Sequence, residues 1–375
     1  MLQTADSLRL QMRQSADSGR MLQWADSLLM AQVAQSKMSE KRKARLLRRF
    51  EKWQGHLRRY DRKLYWGDSL LAARYGKVTY DTAFITRPQA RWTIKMRGNL
   101  SGAHITTQTT EVAGLSHNTQ LRSDLRGTLS VAVAYRGLAA GVAMNPAKLA
   151  GKSKDFEFNL NSYSNRYGFD VVYLSSNTFR GHQDAGDTRH DISKGLVAQD
   201  ALNLNFYYAF NHRRFSFPAA FSQSYIQRHS AGSWMLGASF DGSKTRVKGD
   251  DTNPSLQPMT IRLNELAIGG GYGYNLVTGG HWLFHLSALP TITVYSHDYI
   301  LLTEERDGAA VSTRTNMKYH FPSAIITGRA AALYSWRNKF AGATTVYNYS
   351  VAGNRAHLLL HRNKWRVRLF FGFRF

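Results

Sequence analysis

The sequence predicts an all-β fold, a closed antiparallel transmembrane β-barrel of about 12 strands (10 to 14 being compatible), behind an N-terminal helical extension. Three observations predict it. The last residues, Trp365 to Phe375, alternate strictly, so that Trp365, Val367, Leu369, Phe371, Phe373 and Phe375 share one face and Arg366, Arg368, Gly372 and Arg374 the other. The same period-2 pattern recurs upstream from Arg91, with aromatics at the segment ends. The connections then alternate between short turns and long polar stretches, the asymmetry of periplasmic turns and extracellular loops.

Composition agrees with this class. The 375 residues hold no 18-residue apolar stretch, which excludes a helical membrane protein, while 19 Tyr, 19 Phe, 8 Trp and 30 Gly against 7 Pro suit aromatic-girdled strands. A mean hydropathy of −0.40 fits a barrel, where only alternate residues face lipid. With zero Cys there is no disulfide framework or thiolate metal site, and the redox compartment stays open. A formal charge of +25 calls for an anionic environment or partner. Met1-Leu2-Gln3-Thr4-Ala5-Asp6 opens without an apolar leader, so the chain is expected to be a mature form or to start at an internal Met of a longer frame.

The change of hydrophobic period divides the chain into a helical extension over 1–75, a linker over 76–90 and the barrel over 91–375. The extension carries a degenerate repeat at Ala5-Asp6-Ser7, Ala16-Asp17-Ser18 and Ala25-Asp26-Ser27, in which Asp or Ser caps short helices. Next, Leu46, Phe50, Trp53, Leu57, Tyr60 and Leu64 form one helical stripe flanked by Lys and Arg. Such a basic amphipathic helix is expected on the periplasmic side, against anionic lipid or an acidic periplasmic protein, with a helix packed stripe-inward on its own barrel mouth as the alternative.

Within the barrel, alternation assigns faces. The first strand places Trp92, Ile94, Met96 and Leu100 outward. The second runs through Leu129, Val131, Val133 and Tyr135, and the third follows the Arg136-Gly137 turn as Leu138 to Met144. Later strands centre on Phe156, Phe158 and Leu160; on Phe169, Val171 and Tyr173; on Leu202 to Phe210; and on Trp234, Leu236 and Phe240. The last centre on Leu266, Ile268, Tyr272 and Tyr274; on Trp282, Phe284 and Leu286; on Ile326 to Tyr334; on Ala343 to Tyr349; and on the closing strand. Short turns fall at Ser164-Asn165-Arg166 and Trp336-Arg337-Asn338, and long loops near 107–122, 179–199, 249–260 and 300–318.

The same parity turns Lys95, Arg97, Arg126, Asp155, Glu157, Asp170, Glu265, Arg366 and Arg368 into the lumen. The basic members lie on strands that become neighbours when the last strand pairs with the first. The acidic ones lie part of the way round, so the lumen carries either a transverse field, as charge rings do in pores, or mutually neutralised pairs in a filled barrel. The loop residues His182, Asp184, Asp187, His190 and Asp191 have the donor types of a divalent-metal site, but a solvated polar loop explains them better, and neither metal nor cofactor is expected. Gly269-Gly270-Gly271-Tyr272-Gly273 lacks the Lys and helix of a phosphate loop and reads as a bent barrel strand.

Phe215 to Trp234 sits where a short periplasmic turn belongs, yet it is long and carries Pro218, Ala219 and Ala220. It is expected to fold inward as a plug or to lie against the barrel mouth, with Phe217, Pro218, Phe221, Gln223, Tyr225, Gln227, His229 and Ser230 as its marker residues. This segment, with Tyr80-Asp81-Thr82 and the Arg91-Trp92 strand start, resembles the family known as domain of unknown function 4421, over residues from about 80 to the end. The resemblance implies an outer-membrane barrel of Gram-negative bacteria and carries no activity and no catalytic residue.

The expected function is therefore that of a bacterial outer-membrane barrel, in contact with membrane lipid, serving as a structural, assembly or narrow-channel component without catalysis. A lipid-modifying hydrolase using His229 with Ser230 or Ser233 is one alternative. A soluble basic nucleic-acid-binding protein is the other, and it ranks last because the aromatics lie opposite the charges instead of interleaving with them, so no nucleic-acid partner is expected.

Overall fold

The computed structural model describes residues 75–375 apart from 113–114, 137, 147–150, 152–154, 250–255, 307–308, 318–322 and 355–357, together with Ala44, Arg48, Ser69 and Ala73. The chain divides into two compact units, Met1–Lys77 and Val78–Phe375. In the first, the four described upstream positions are helical and exposed. The Ala-Asp-Ser repeat and the apolar stripe from Leu46 to Leu64 lie outside the described residues.

The second unit contains β1 (Ile85–Thr86), β2 (Trp92–Val112), β3 (Leu115–Arg122), β4 (Arg126–Tyr135), β5 (Leu138–Met144), β6 (Phe156–Tyr163), β7 (Tyr167–Ala185) and β8 (Thr188–Ala209), then helix α1 (Phe217–Phe221). It continues with β9 (Ile226–Gln227), β10 (Ala231–Val247), β11 (Met259–Thr278), β12 (Trp282–Ser296), β13 (Tyr299–Arg306) and β14 (Ala309–Asn316). The last three strands are β15 (Ala324–Trp336), β16 (Lys339–Asn354) and β17 (Leu358–Arg374). Hydrogen-bonded neighbours run β10-β8-β7-β3-β2-β17-β16-β15-β12-β11, and β11 returns to β10, so the path is a ring. The two chain-terminal strands lie side by side from Thr93↔Arg374 to Gln108↔Leu359. Beyond that register, Trp92 and Phe375 exchange both backbone hydrogen bonds at 3.0 Å.

The ring is wider at one end. β2 pairs with β4 along its first half and with β3 along its second, since β3 and β4 are one strand interrupted at Ser123–Leu125. At the end of the short turns β4 and β5 extend from β2 and β6 extends from β7, which brings the strands present there to twelve. At the hairpin end β3 closes directly onto β7. Among the described residues β5 pairs with β4 alone and β6 with β7 alone.

Two expectations about the chain's organisation are corrected. Most of the stretches read as long loops near 107–122, 179–199 and 300–318 are strand: β2–β3, β7–β8 and β13–β14 continue in register as hairpins. Their outward side chains are polar and their apolar ones, such as Phe179, Ile192 and Val197, face inward, so the lipid-facing period ends there while the backbone ladder continues. The stretch 76–90 is not a plain linker either. Asp81 accepts from the Ala83 N–H at 3.0 Å, and β1 pairs with β9 through Ile85↔Gln227, which ties this segment to the plug described below.

Faces alternate strictly in the turn-end half. From Trp282 to Thr293, β12 is exposed at every odd step and buried at every even one. Outward positions are apolar: Ile94, Met96 and Leu100 on β2, Leu204 and Phe206 on β8, Leu266 and Ile268 on β11, Val367, Leu369 and Phe371 on β17. Toward the hairpin end the phase of hydropathy inverts, along β2 and β17 with no change of register. There Ala103 and Ile105, Ile192 and Val197, Ile261 and Leu263, Leu358 and Leu360 are buried inside. Lys244 and Arg262, cross-strand partners, stand at outward parity with Asp200 beside Lys244. One strand therefore meets an apolar medium outside along part of its length and water outside along the rest.

Candidate functional site: a plugged lumen

α1 blocks the turn end from within. Ser216 caps it, accepting from the Ala219 N–H at 3.3 Å, and Pro218 fits the first turn, where its missing N–H costs nothing. Phe217 through Phe221 are all buried against Tyr207, Met235, Leu283, Leu289, Leu333, Phe340 and Phe370 from the wall. Phe217 and Phe221 stack at 4.8 Å, and both meet the His285 ring edge-on at 4.9 and 5.1 Å. The helix is apolar on all sides because its whole surface is inside. Lys95 donates to Ser222 O and to Gln223 Oε1, and Arg374 donates to Gln223 O at 3.3 Å, so cations from β2 and β17 hold the helix by its C-terminal end.

Gln227 is the hub of the plug. Its carbonyl accepts from the Ser216 N–H at 2.9 Å and the Asn275 amide at 3.0 Å, while its amide donates to Arg214 O and His229 O at 2.6 and 2.9 Å. Asn275 also donates to Ser216 O, and its Oδ1 accepts from His285 Nδ1–H at 2.7 Å, linking the plug to β11 and β12. Tyr225 packs edge-on against Tyr80 at 5.5 Å and receives the Arg87 guanidinium on its ring and hydroxyl. The two short motifs that lie far apart in sequence, Tyr80-Asp81-Thr82 and Phe215 to Trp234, thus meet in one packed unit.

Above the plug lies a layer of buried charge. Arg362 bridges Asp241 at 3.0 Å and Glu265. Arg329 pairs with Asp170 at 2.8 Å, and Tyr163 donates to the same carboxylate. Arg126 reaches Asp155 at 3.4 Å and Glu157 at 3.2 Å, while Ser176 and Thr178 complete the shell of Asp155 at 2.8 Å each. Arg366 donates to Asn159, Arg368 to Asn99 at 2.7 Å and Lys364 to Asn203 at 2.8 Å. Arg97 is half-buried at the inward parity of Lys95. Arg126, Arg329 and Arg362 are paired with carboxylates, whereas Lys95, Arg97, Arg366 and Arg368, which gather on the adjacent strands β2 and β17, are in no ion pair among the described residues. The holes left in this layer measure about 10, 20 and 30 Å³, room for one or two waters each. A third layer, the apolar cluster around Phe179, Ile192, Val197, Leu263 and Leu360, fills the hairpin end.

Arg362, Arg329, Asp241 and Lys364 were not singled out from the sequence, although parity carried the signal for most of them. Asp241 follows the outward Phe240, and Arg329 falls one step out of phase with Ile326. Gly269 and Gly271 have a definite cause: a Cβ on either would lie 2.2 or 2.1 Å from the Pro290 or Ala288 carbonyl oxygen, so β11 and β12 approach too closely there for any side chain.

No acyl-transfer constellation forms around His229. Its exposed ring lies against Phe84 at 5.7 Å, Ser230 accepts from the Val277 N–H at 2.9 Å, and Ser233 accepts from the Asn211 N–H at 2.9 Å. On the β7–β8 hairpin, His182 Nε2 lies 3.7 Å from Asp184, which pairs with Arg189 at 3.0 Å, while His190 and Asp191 stand opposite Gln183 and His182 across the ladder. Among the described residues no three His, Asp or Glu side chains are placed to hold a metal.

Residues 79–375 match the family described as "Domain of unknown function (DUF4421)". No curated protein matches the chain. Among solved structures, similarity is found to the outer membrane protein OprG from Pseudomonas aeruginosa, at 11% identity over 76% of this chain and 97% of that one with a TM-score of 0.25. The translocator domain of autotransporter NalP from Neisseria meningitidis gives 9%, 87%, 98% and 0.22. The toluene transporter TodX of P. putida gives 7%, 77%, 91% and 0.24. At such TM-scores the backbones do not superpose, and the barrel assignment rests on the strand pairing and the two faces.

Proposed function

The chain belongs to the DUF4421 family, and from that premise we propose that it is a bacterial outer-membrane β-barrel with a sealed lumen, acting as a structural or assembly component of the envelope without catalysis. The observation that carries the membrane part is the mid-strand inversion of hydropathy. A soluble barrel keeps apolar residues inside along its whole length, whereas this one has them outside along about ten residues per strand, the length that spans hydrocarbon at a barrel tilt. Aromatics at the turn-end rim support it: Trp92 packs on Tyr135, Trp282 on Tyr334 and Trp234 on Tyr272, as in an interfacial girdle. The sealed reading, in preference to a narrow channel, rests on the three filled layers.

Membrane fractionation and planar-bilayer recording test the two parts separately. The full chain is expected in the outer-membrane fraction as a heat-modifiable band, and to give no resolved conductance steps. Recovery in the soluble fraction would end the membrane reading, and steady ion conductance by the intact chain would replace the sealed barrel with the narrow channel.

A further inference from the structure

We propose that the outer wall carries a binding site for a phosphorylated lipid, in the notch where β3 parts from β4. The proposal rests on the membrane reading above. A cavity of about 1110 Å³ opens there on the outward side, bordered by His104, Arg122, Asp124, Arg180, Lys194 and Trp365. Its cause is topological: twelve strands on the turn-end side give way to a narrower ring on the hairpin side, and Ser123–Leu125 form the step between them.

The height of the notch selects the ligand. Along β2 the outward residues run Ile94, Met96, Leu100, and next Gly102 and His104; along β17 they run Leu369, Val367, then Trp365. The notch therefore begins where the apolar band ends, at the level of lipid headgroups. Below it, Leu125 is 64% exposed, and the Trp365 indole lies over Gly102, where a Cβ would meet the ring at 3.0 Å. This apolar floor is continuous with the lipid-facing surface. Above it stand the cations. Asp124 holds Arg180 at 3.5 Å and Lys194 at 2.5 Å, which fixes both heads at the rim while leaving donors free, and Arg122 is exposed and in no ion pair among the described residues. Three cations outnumber Asp124 and Asp191 in the lining. Guanidinium forks suit phosphate oxygens, and an acyl chain on the Leu125–Trp365 floor distinguishes a lipid from a free anion.

The probe is diphosphoryl lipid A added to the full chain in uncharged detergent, read by native mass spectrometry. The wild type is expected to retain one lipid per barrel. The R122Q/R180Q variant is expected to bind about tenfold more weakly or worse, R122K/R180K to recover part of the loss, and R337Q, at the opposite end, to bind as the wild type does. Heat-modifiable migration of each variant establishes that it is folded. Equal retention by R122Q/R180Q and the wild type would overturn the site. Complete displacement by inorganic phosphate at matched phosphate concentration would overturn the lipid assignment and leave a plain anion site. A chain that fractionates with the outer membrane yet holds no lipid A loses the notch alone, whereas absence from that membrane overturns the reading beneath it.

Discussion

Arg362 is among the largest fully buried side chains in the barrel, and its charge is matched by two carboxylates from two neighbouring strands. Removing it should therefore be far costlier than removing a surface arginine. Arg362→Ala leaves Asp241 and Glu265 buried and uncompensated, and is expected to cost about 3–5 kcal/mol, read from the midpoint of guanidinium unfolding in lipid vesicles. The joint replacement of all three by apolar residues of similar volume should recover most of that loss, because the cost belongs to the broken set and not to the absence of charge. Outside, Leu369 is 63% exposed near the middle of the apolar band. Leu369→Arg should cost about 2–4 kcal/mol, and Phe375→Arg at the rim about 0–1 kcal/mol, measured by the same unfolding series. Equal penalties at both positions would place the hydrocarbon elsewhere.

At the scale of elements, α1 and β17 make different demands. Phe217 stacks on Phe221, lies tilted against Tyr207 and meets His285 edge-on with no exposed surface, so Phe217→Ala should destabilise by about 3–5 kcal/mol, seen as a lowered unfolding midpoint with the barrel band still present. Deleting Lys364–Phe375 should abolish insertion, since β16 and β2 would each present an unpaired ladder to hydrocarbon at several kcal/mol per group. A protease-resistant, heat-modifiable band from that truncation would contradict it. The outward faces of these strands were legible in the sequence wherever lipid makes the outside apolar, because period 2 then shows as Phe-Gly-Phe-Arg-Phe. Legibility failed where water lies outside: in the 358–362 stretch the apolar residues face inward, the opposite convention, and Arg362 sits just past that crossover. It failed for the plug as well. Pro218 and the paired alanines marked a segment unsuited to a ladder, but the hub role of Gln227 depends on Asn275 and Ser216, which only the folded barrel brings within reach.

Over the whole molecule, the formal charge of +25 is not spread evenly. In the lumen Arg126, Arg329 and Arg362 are paired with carboxylates while Lys95, Arg366 and Arg368 bond neutral groups, and exposed cations stand at the turn-end rim, among them Arg91, Arg166, Arg213, Arg228 and Arg337. More lie in the extension, where Lys41, Arg42, Lys43, Arg45, Arg48 and Arg49 precede further basic residues through Lys63. A peptide covering residues 37–66 is expected to gain helical circular dichroism on anionic vesicles at low salt and to lose it as the Debye length falls from about 10 Å at 0.1 M to about 3 Å at 1 M. A peptide that stays unstructured on those vesicles would remove the membrane-surface reading.

The pairing of Trp92 with Phe375 has a kinetic consequence. The ring closes only when the first long strand meets the last residue of the chain, so the contact of greatest sequence separation in the barrel is also the one that completes it. Closing so long a loop is slow, and every hairpin formed earlier must wait with two bare edges. During synthesis no ring exists until β17 has been made and has paired with β2. The unclosed sheet must be kept soluble as an open intermediate, and whatever shields β2 and β16 in that interval has to leave before β17 can take its place.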